Sequence, residues 1–269
     1  MVAQMVGFFV SGFVFPNIPW TSLLIGIGLA IAFGAVWFTP YWTPILKKPW
    51  AWAVLAGSAI LAWTAVAFIQ IPLQLWSGQA MAHFWSQETI MRWLVLAGIP
   101  AVLLSGLVQE GAKLVPTVIY WWRHGKNIDP KLGLAIGAVA GVGFGIFEAQ
   151  WVHNTFIFAY GWNWGVVESN GLLALAGFWE RFFAVAFHIA ASALAGYGLA
   201  KGWGWQFYLI ASGLHALLNY GAVLFQAGVM TTVPLEICVA VVAALITAGV
   251  LWLRWKKSAE PSVYEASPA

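Results

Sequence analysis

Residues 132–153 read LGLAIGAVAGVGFGIFEAQWVH, and Glu148 is the single charged residue among them. About 20 mostly apolar residues are enough for an α-helix to cross a bilayer, so this stretch predicts a membrane span. Gly133, Gly137, Gly141 and Gly145 recur at every fourth position. That spacing gathers them on one helical face and predicts close packing against another helix. No Lys-Ser or Lys-Thr pair follows the glycines, so they do not form a phosphate-binding loop.

Working outward, six more stretches read the same way: Ile18–Phe38, Trp50–Pro72, Arg92–Tyr120, Leu172–Ala200, Trp205–Phe225 and Val233–Leu253. Pro100 and Pro116 are expected kinks in the third of the seven spans. Of the 269 residues 62% are hydrophobic and 8% charged, with a mean hydropathy of +0.83. A soluble domain carries about 25% charge, so lipid is the expected surroundings. The predicted fold class is an all-α, polytopic bundle of about seven spans. Residues 1–257 form one transmembrane domain, with its motif-bearing core at 105–220. Residues 258–269 form a disordered cytoplasmic tail, and Met1–Phe15, short for a span, lies in the interface or against the bundle.

Charge sets the orientation. Lys47 and Lys48 follow the first span, Arg123, Lys126 and Lys131 the third, Lys201 the fifth, and Arg254, Lys256 and Lys257 the seventh. With seven spans all of these loops share one side, and the positive-inside rule makes that side the cytoplasm. The N-terminus is then outside and the C-terminus inside; an eighth span would break the alternation. The expected location is the cell membrane. The net charge of +3 is a topology signal and not a nucleic-acid one. Cys238 is the one cysteine, which excludes an intrachain disulfide and a thiolate metal cluster. Trp20, Trp50, Trp121, Trp122, Trp203 and Trp205 fall near predicted helix ends and suit an interfacial aromatic belt.

Several residues do not belong in lipid. Glu110, Lys113, Glu148, Glu180, Arg181, His188, His215 and Asn219 all lie inside predicted spans. A charge at mid-membrane costs about 3 kcal/mol or more and normally faces a functional interior. Glu110 and Lys113, three apart, share a face, as do His215 and Asn219, four apart. Arg181 and His188, seven apart, share a stripe. At 1.5 Å per residue, Glu110 and His215 lie roughly 18 and 15 Å from the cytoplasmic ends of their helices. His188 lies roughly 24 Å from the outer end of its own, and Glu148 roughly 26 Å from the cytoplasmic end. Four helices thus converge on one internal site, against the alternative of ion pairs that only lock helices together. His83, His124 and His153 read as interfacial, and Glu236 as solvated.

Over residues 105–220 the chain resembles the superfamily of CAAX-processing and bacteriocin-processing intramembrane proteases, nearest its YhfC-like and PrsW-like glutamic-type groups. The resemblance rests on Gln109-Glu110-Gly111-Ala112-Lys113, where the family has Glu-Glu-x-x-Lys/Arg. It continues in the glycine-rich run through Phe144 to Glu148, in Glu180-Arg181 followed by His188, and in His215-x-x-x-Asn219. It implies an intramembrane endopeptidase acting on a membrane-embedded or juxtamembrane peptide. Glu110 and Glu148 would activate water, His215 and Asn219 would stabilise the oxyanion, and His188 would orient water or protonate the leaving amine. Gln109, Lys113, Glu180 and Arg181 would support them. Gln109 stands where the family places its first glutamate, and Phe144 where YhfC-like members have His.

The expected mechanism is metal-free. The competing one puts zinc on Glu148, His188 and His215 with Glu110 as base, although no His-Glu-x-x-His motif is present. Two other readings remain open. One is a non-catalytic scaffold with distant similarity to the scaffold subunit of gamma-secretase. The other is a proton-linked transporter, which ranks last because the sequence shows no internal repeat.

Overall fold

The computed structural model describes residue 7 and residues 17–41 and 44–256. The expected interfacial segment at residues 1–15 and the expected tail at 258–269 fall almost wholly outside these. Among the described residues the chain is all-helical, with seven helical stretches long and apolar enough to span a membrane.

The described residues form eleven α-helices: α1 (Trp20–Phe38), α2 (Pro49–Ala65), α3 (Ile71–Phe84), α4 (Gln87–Arg92), α5 (Leu94–Ala97), α6 (Ile99–Arg123), α7 (Pro130–Val152), α8 (Trp164–Asn170), α9 (Ala176–Ala200), α10 (Gly204–Gln226) and α11 (Thr232–Trp255), of which α4 lies between the second and third spans. Two joints are π-helical. Val66–Gln70 welds α2 to α3, and His153–Phe158 extends α7.

The second span was expected to stop at Pro72 and instead runs to Phe84. Proline fits the first turn of a helix, and Pro72 takes that position at the start of α3, directly after the wide turn. The result is a stretch of 36 residues, about 54 Å long against a hydrocarbon core of about 30 Å. Pro100 likewise begins α6 after a break at Gly98 and does not kink a continuing helix, whereas Pro116 is internal. The fifth span is also longer than expected, because α8 and a 3₁₀ turn at Gly171–Leu175 precede α9.

The helices α7 and α9 form the buried centre. The glycine face predicted for α7 is the face that meets α9: a Cβ on Gly133, Gly137 or Gly141 would collide with the backbone of Gly196, Ser192 or His188. Small residues at this spacing let two backbones approach, which is how membrane helices associate without a hydrophobic drive between them. On its other side α7 receives α2, where Gly143 lies against the Leu55 carbonyl and the Ser58 hydroxyl donates to the Ala140 carbonyl at 2.7 Å. Around this pair, α1 and α11 pack on α9, while α6 packs on α2, α7 and α10. Trp20, Trp122, Trp203 and Trp205 are exposed, in keeping with the aromatic belt, and Trp50 packs on Tyr120 with ring centroids 4.5 Å apart.

Candidate active site

Four helices contribute one unbroken chain of polar contacts. At its start Arg181 of α9 pairs with its neighbour Glu180 and donates through Nη1 to Glu148 Oε2 of α7 at 3.0 Å. The same Oε2 lies 2.7 Å from His188 Nε2. On the far side of that imidazole, Nδ1 is 2.9 Å from Lys113 Nζ of α6. Lys113 pairs with Glu110, whose Oε1 also lies 2.7 Å from His215 Nδ1 of α10. Glu110 and Lys113, expected to share a face, pair with each other, and Arg181 and His188, expected to share a stripe, meet on one carboxylate oxygen of Glu148.

The network assigns the imidazole protons. An ammonium only donates, so His188 Nδ1 accepts from Lys113 and the ring proton sits on Nε2, donated to Glu148. A carboxylate only accepts, so His215 donates from Nδ1 and its lone pair is on Nε2. The two rings lie edge to face with centroids 5.3 Å apart. Phe144 and Phe187 close around them, with Lys113 Nζ 5.1 Å from the Phe144 ring centre. Phe144 therefore serves as an apolar wall against both Lys113 and His188.

The two central glutamates differ in access. The Glu110 side chain is 0% exposed and that of Glu148 20%. Glu148 lines a cavity of about 550 Å³ that also touches Gln109, Ser105, Asn219 and Arg181, whereas Glu110, His188 and His215 lie behind its wall. Both contacts to Glu148 fall on Oε2.

The metal expectation changes membership. The residues grouped closely enough to hold an ion are Glu110, His188 and His215, with ligand atoms within 4.8 Å of one another; Glu148 is outside the group. Two imidazoles and a carboxylate with an open fourth position suit zinc. Glu110 Oε2 is buried without a hydrogen-bond partner, a donor atom left over for such an ion. Lys113 Nζ lies between Glu110 and His188, so loading a cation would displace that ammonium or remove its proton. With that condition the donor set fits a metal.

Other expectations resolve differently. His153, expected at the interface, is fully buried in the π turn, 3.2 Å from the Gly26 carbonyl and packed on Phe33 and Phe178. Glu236, expected to be solvated, has Oε2 buried without a hydrogen-bond partner. Asn219 donates to Ser105 Oγ at 2.7 Å, and Gln109 donates to Gln70 Oε1 at 3.0 Å. Both thus belong to a second polar group on the cavity, together with Gln70, Gln74 and Ser105. The spacing of Gln70 and Gln74 was the available signal for it, but both are uncharged and fall outside a search for intramembrane charge.

Residues 167–243 match the family described as YhfC intramembrane metalloprotease. The matched stretch runs from α8 into α11 and carries Glu180, Arg181, His188, His215 and Asn219; it leaves out Glu110, Lys113 and Glu148. No curated protein and no solved structure matches the chain. The similarity is to intramembrane proteases of the YhfC type, and it covers the half of the site supplied by α9 and α10.

Proposed function

We propose that this protein is an intramembrane endopeptidase whose hydrolytic centre is the Glu110–Lys113–Glu148–His188–His215 network. The observation that carries this is the convergence of four helices on buried ionisable groups that end, at Glu148, on a cavity able to admit water and peptide. Charge at this depth is retained against its cost where it does work. The match at 167–243 to a metalloprotease family supports the same reading.

Access decides the roles. Glu148 is the carboxylate that water can reach, so it takes the proton from the attacking water and later returns it to the leaving amine. His188 and Arg181 fix its Oε2 and so aim Oε1. The sealed Glu110, with His188 Nδ1 and His215 Nε2, would hold a divalent metal, preferentially zinc. When bound, the ion supplies a Lewis acid and acidifies a bound water. This exchanges the roles that the zinc alternative gave the two glutamates. A metal-free route remains the alternative, in which Glu110 with His215 supports Glu148 directly. The proposed orientation, with the N-terminus outside and the C-terminus cytoplasmic, follows from the basic loops.

The test compares membrane-protein N-termini by mass spectrometry in cells expressing the wild type or Glu148→Gln at matched levels. New N-termini confined to the wild type support proteolysis. Coincident profiles from two folded, inserted proteins move the chain to the non-catalytic scaffold reading, for which the contact of Lys113 with both Glu110 Oε1 and His188 Nδ1 is the supporting observation. Metal analysis of the purified protein asks the zinc question separately. About one zinc per chain, lost in His188→Ala and His215→Ala, is the expected result.

A further inference from the structure

Gln109 makes no hydrogen bond to the Glu110–His188–His215 group. Its Nε2 donates instead to Gln70 Oε1 at 3.0 Å and to Ser105 Oγ at 3.4 Å. Asn219 Nδ2 donates to the same hydroxyl oxygen at 2.7 Å. Gln70 Nε2 reaches Gln74 Oε1 at 3.5 Å, and Gln74 Nε2 donates to the Ala101 carbonyl at 2.8 Å. All five side chains line the cavity that holds Glu148. Gln109 is 4% exposed, and its Oε1 is buried with no partner.

An unpaired amide oxygen inside a membrane bundle is costly and asks for a ligand. The cluster's chemistry narrows the choice. These groups carry no net charge, and they both donate and accept, so neither an ion nor a charged headgroup is their complement. An acyl chain offers nothing to the orphaned oxygen. A peptide that has left the helical conformation offers what matches: backbone N–H and C=O groups that find no water in the hydrocarbon. The cavity, about 550 Å³, is within the usual range for ligand sites of about 300–1,000 Å³.

We infer that Gln70, Gln74, Ser105, Gln109 and Asn219 form a docking site for an unwound stretch of a membrane peptide, gripping its backbone beside Glu148. This rests on the proposed function for its purpose, though not for its test. Recognition through backbone groups is indifferent to most side chains but favours segments that leave the helix easily, such as those containing Gly or Pro.

The probe is a pair of fluorescein-labelled, Lys-flanked Leu-Ala peptides of spanning length, one with a central Gly-Pro and the other with Ala-Ala. Dissociation constants are measured by anisotropy on the full chain in nanodiscs. The wild type is expected to bind the Gly-Pro peptide about ten-fold more tightly, the worth of one or two hydrogen bonds. Gln109→Leu and the half-buried Gln74→Leu are each expected to lose the preference, and Glu148→Gln to keep it. Equal binding of both peptides, as an acyl-filled cavity would give, overturns the inference. So does failure of both to bind, or a preference that survives in both glutamine variants. The two proposals separate cleanly. A Gly-Pro preference lost with Gln109 but unaccompanied by new N-termini in cells keeps the docking site and removes the protease. New N-termini without the preference do the reverse.

Discussion

The two sides of α7 are built in opposite ways. Toward α9 the helix presents glycines against backbone, with no room for a methyl group. On the side where α3, α6 and α10 meet, the packing opens into a largely apolar cavity that carries the amides of Gln70, Gln74, Gln109 and Asn219. The close-packed helices α7 and α9 carry Glu148, Arg181 and His188 and cannot shift independently, which fixes the hydrogen-bond geometry among the three, while Glu148 and Arg181 also reach the cavity. The open side is bounded by the π turn, through Val66 and Gln70, and by Ile71 and Ala101 at the starts of α3 and α6. π turns interrupt the regular ladder and recur where function needs an irregular wall. On the proposed function, one side fixes chemical groups and the other admits a substrate.

The strongest way to break this contrast is to force the closed side apart. Gly137→Leu puts a side chain into the Ser192 backbone, which has no flexible end to yield. It is expected to abolish folded, monodisperse protein in detergent. Gly213→Ala, at a helical position with nothing within 4 Å of the new carbon, is expected to leave yield and melting temperature unchanged. Equal tolerance at both sites would show that the seam is not close-packed.

Next comes the buried pair on α6. Glu110→Leu strands Lys113 and His215 and is expected to destabilise the protein by about 3–5 kcal/mol. Adding Lys113→Met should restore most of that stability, because apolar replacement of both members of a buried pair is often neutral. The double variant should remain inactive and bind no zinc. Recovery of activity would remove Glu110 from the site. By contrast, Glu148→Gln keeps one acceptor oxygen, whose two lone pairs can serve both Arg181 and His188, so its melting temperature should change little while hydrolysis falls by about 10²–10⁴-fold, the range for a lost general base. The partly exposed glutamate should thus cost more in rate than in stability, and the sealed one should cost heavily in both.

These contrasts also show what the sequence could disclose. The spans were legible because hydropathy reports directly on solvent, and the α7–α9 seam because a glycine at every fourth position has few other uses in a membrane. The ion pairs were legible from helical spacing combined with the cost of buried charge. Which glutamate is sealed and which touches the cavity was not, since Glu110 and Glu148 look alike until α2, α6 and α10 are placed around them. The amide cluster escaped for a related reason: it joins Gln70 to Gln109 across 39 positions and two helices, and neutral side chains raise no alarm in a charge-based search. His153 and Glu236 misled because nearness to a helix end predicts exposure only when no neighbouring helix overhangs it.

The smallest expected effect tests the joint between the two sides. The long second span belongs to both: α2 is tied to α7 through the Ser58 hydroxyl, and beyond the π turn the same rod supplies Gln70 and Gln74 to the cavity. Ser58→Ala removes the donor, but the Ala140 carbonyl keeps its place in the α7 helical ladder and is not orphaned. The loss should therefore be that of one net hydrogen bond, about 0.5–1.5 kcal/mol, seen as a small fall in melting temperature. Hydrogen exchange should rise along α2 and leave α9 unchanged, because the glycine seam does not depend on this bond. If exchange rose equally in α9, the two sides would be one cooperative unit, and the division into a fixed wall and an admitting wall would have no dynamic counterpart.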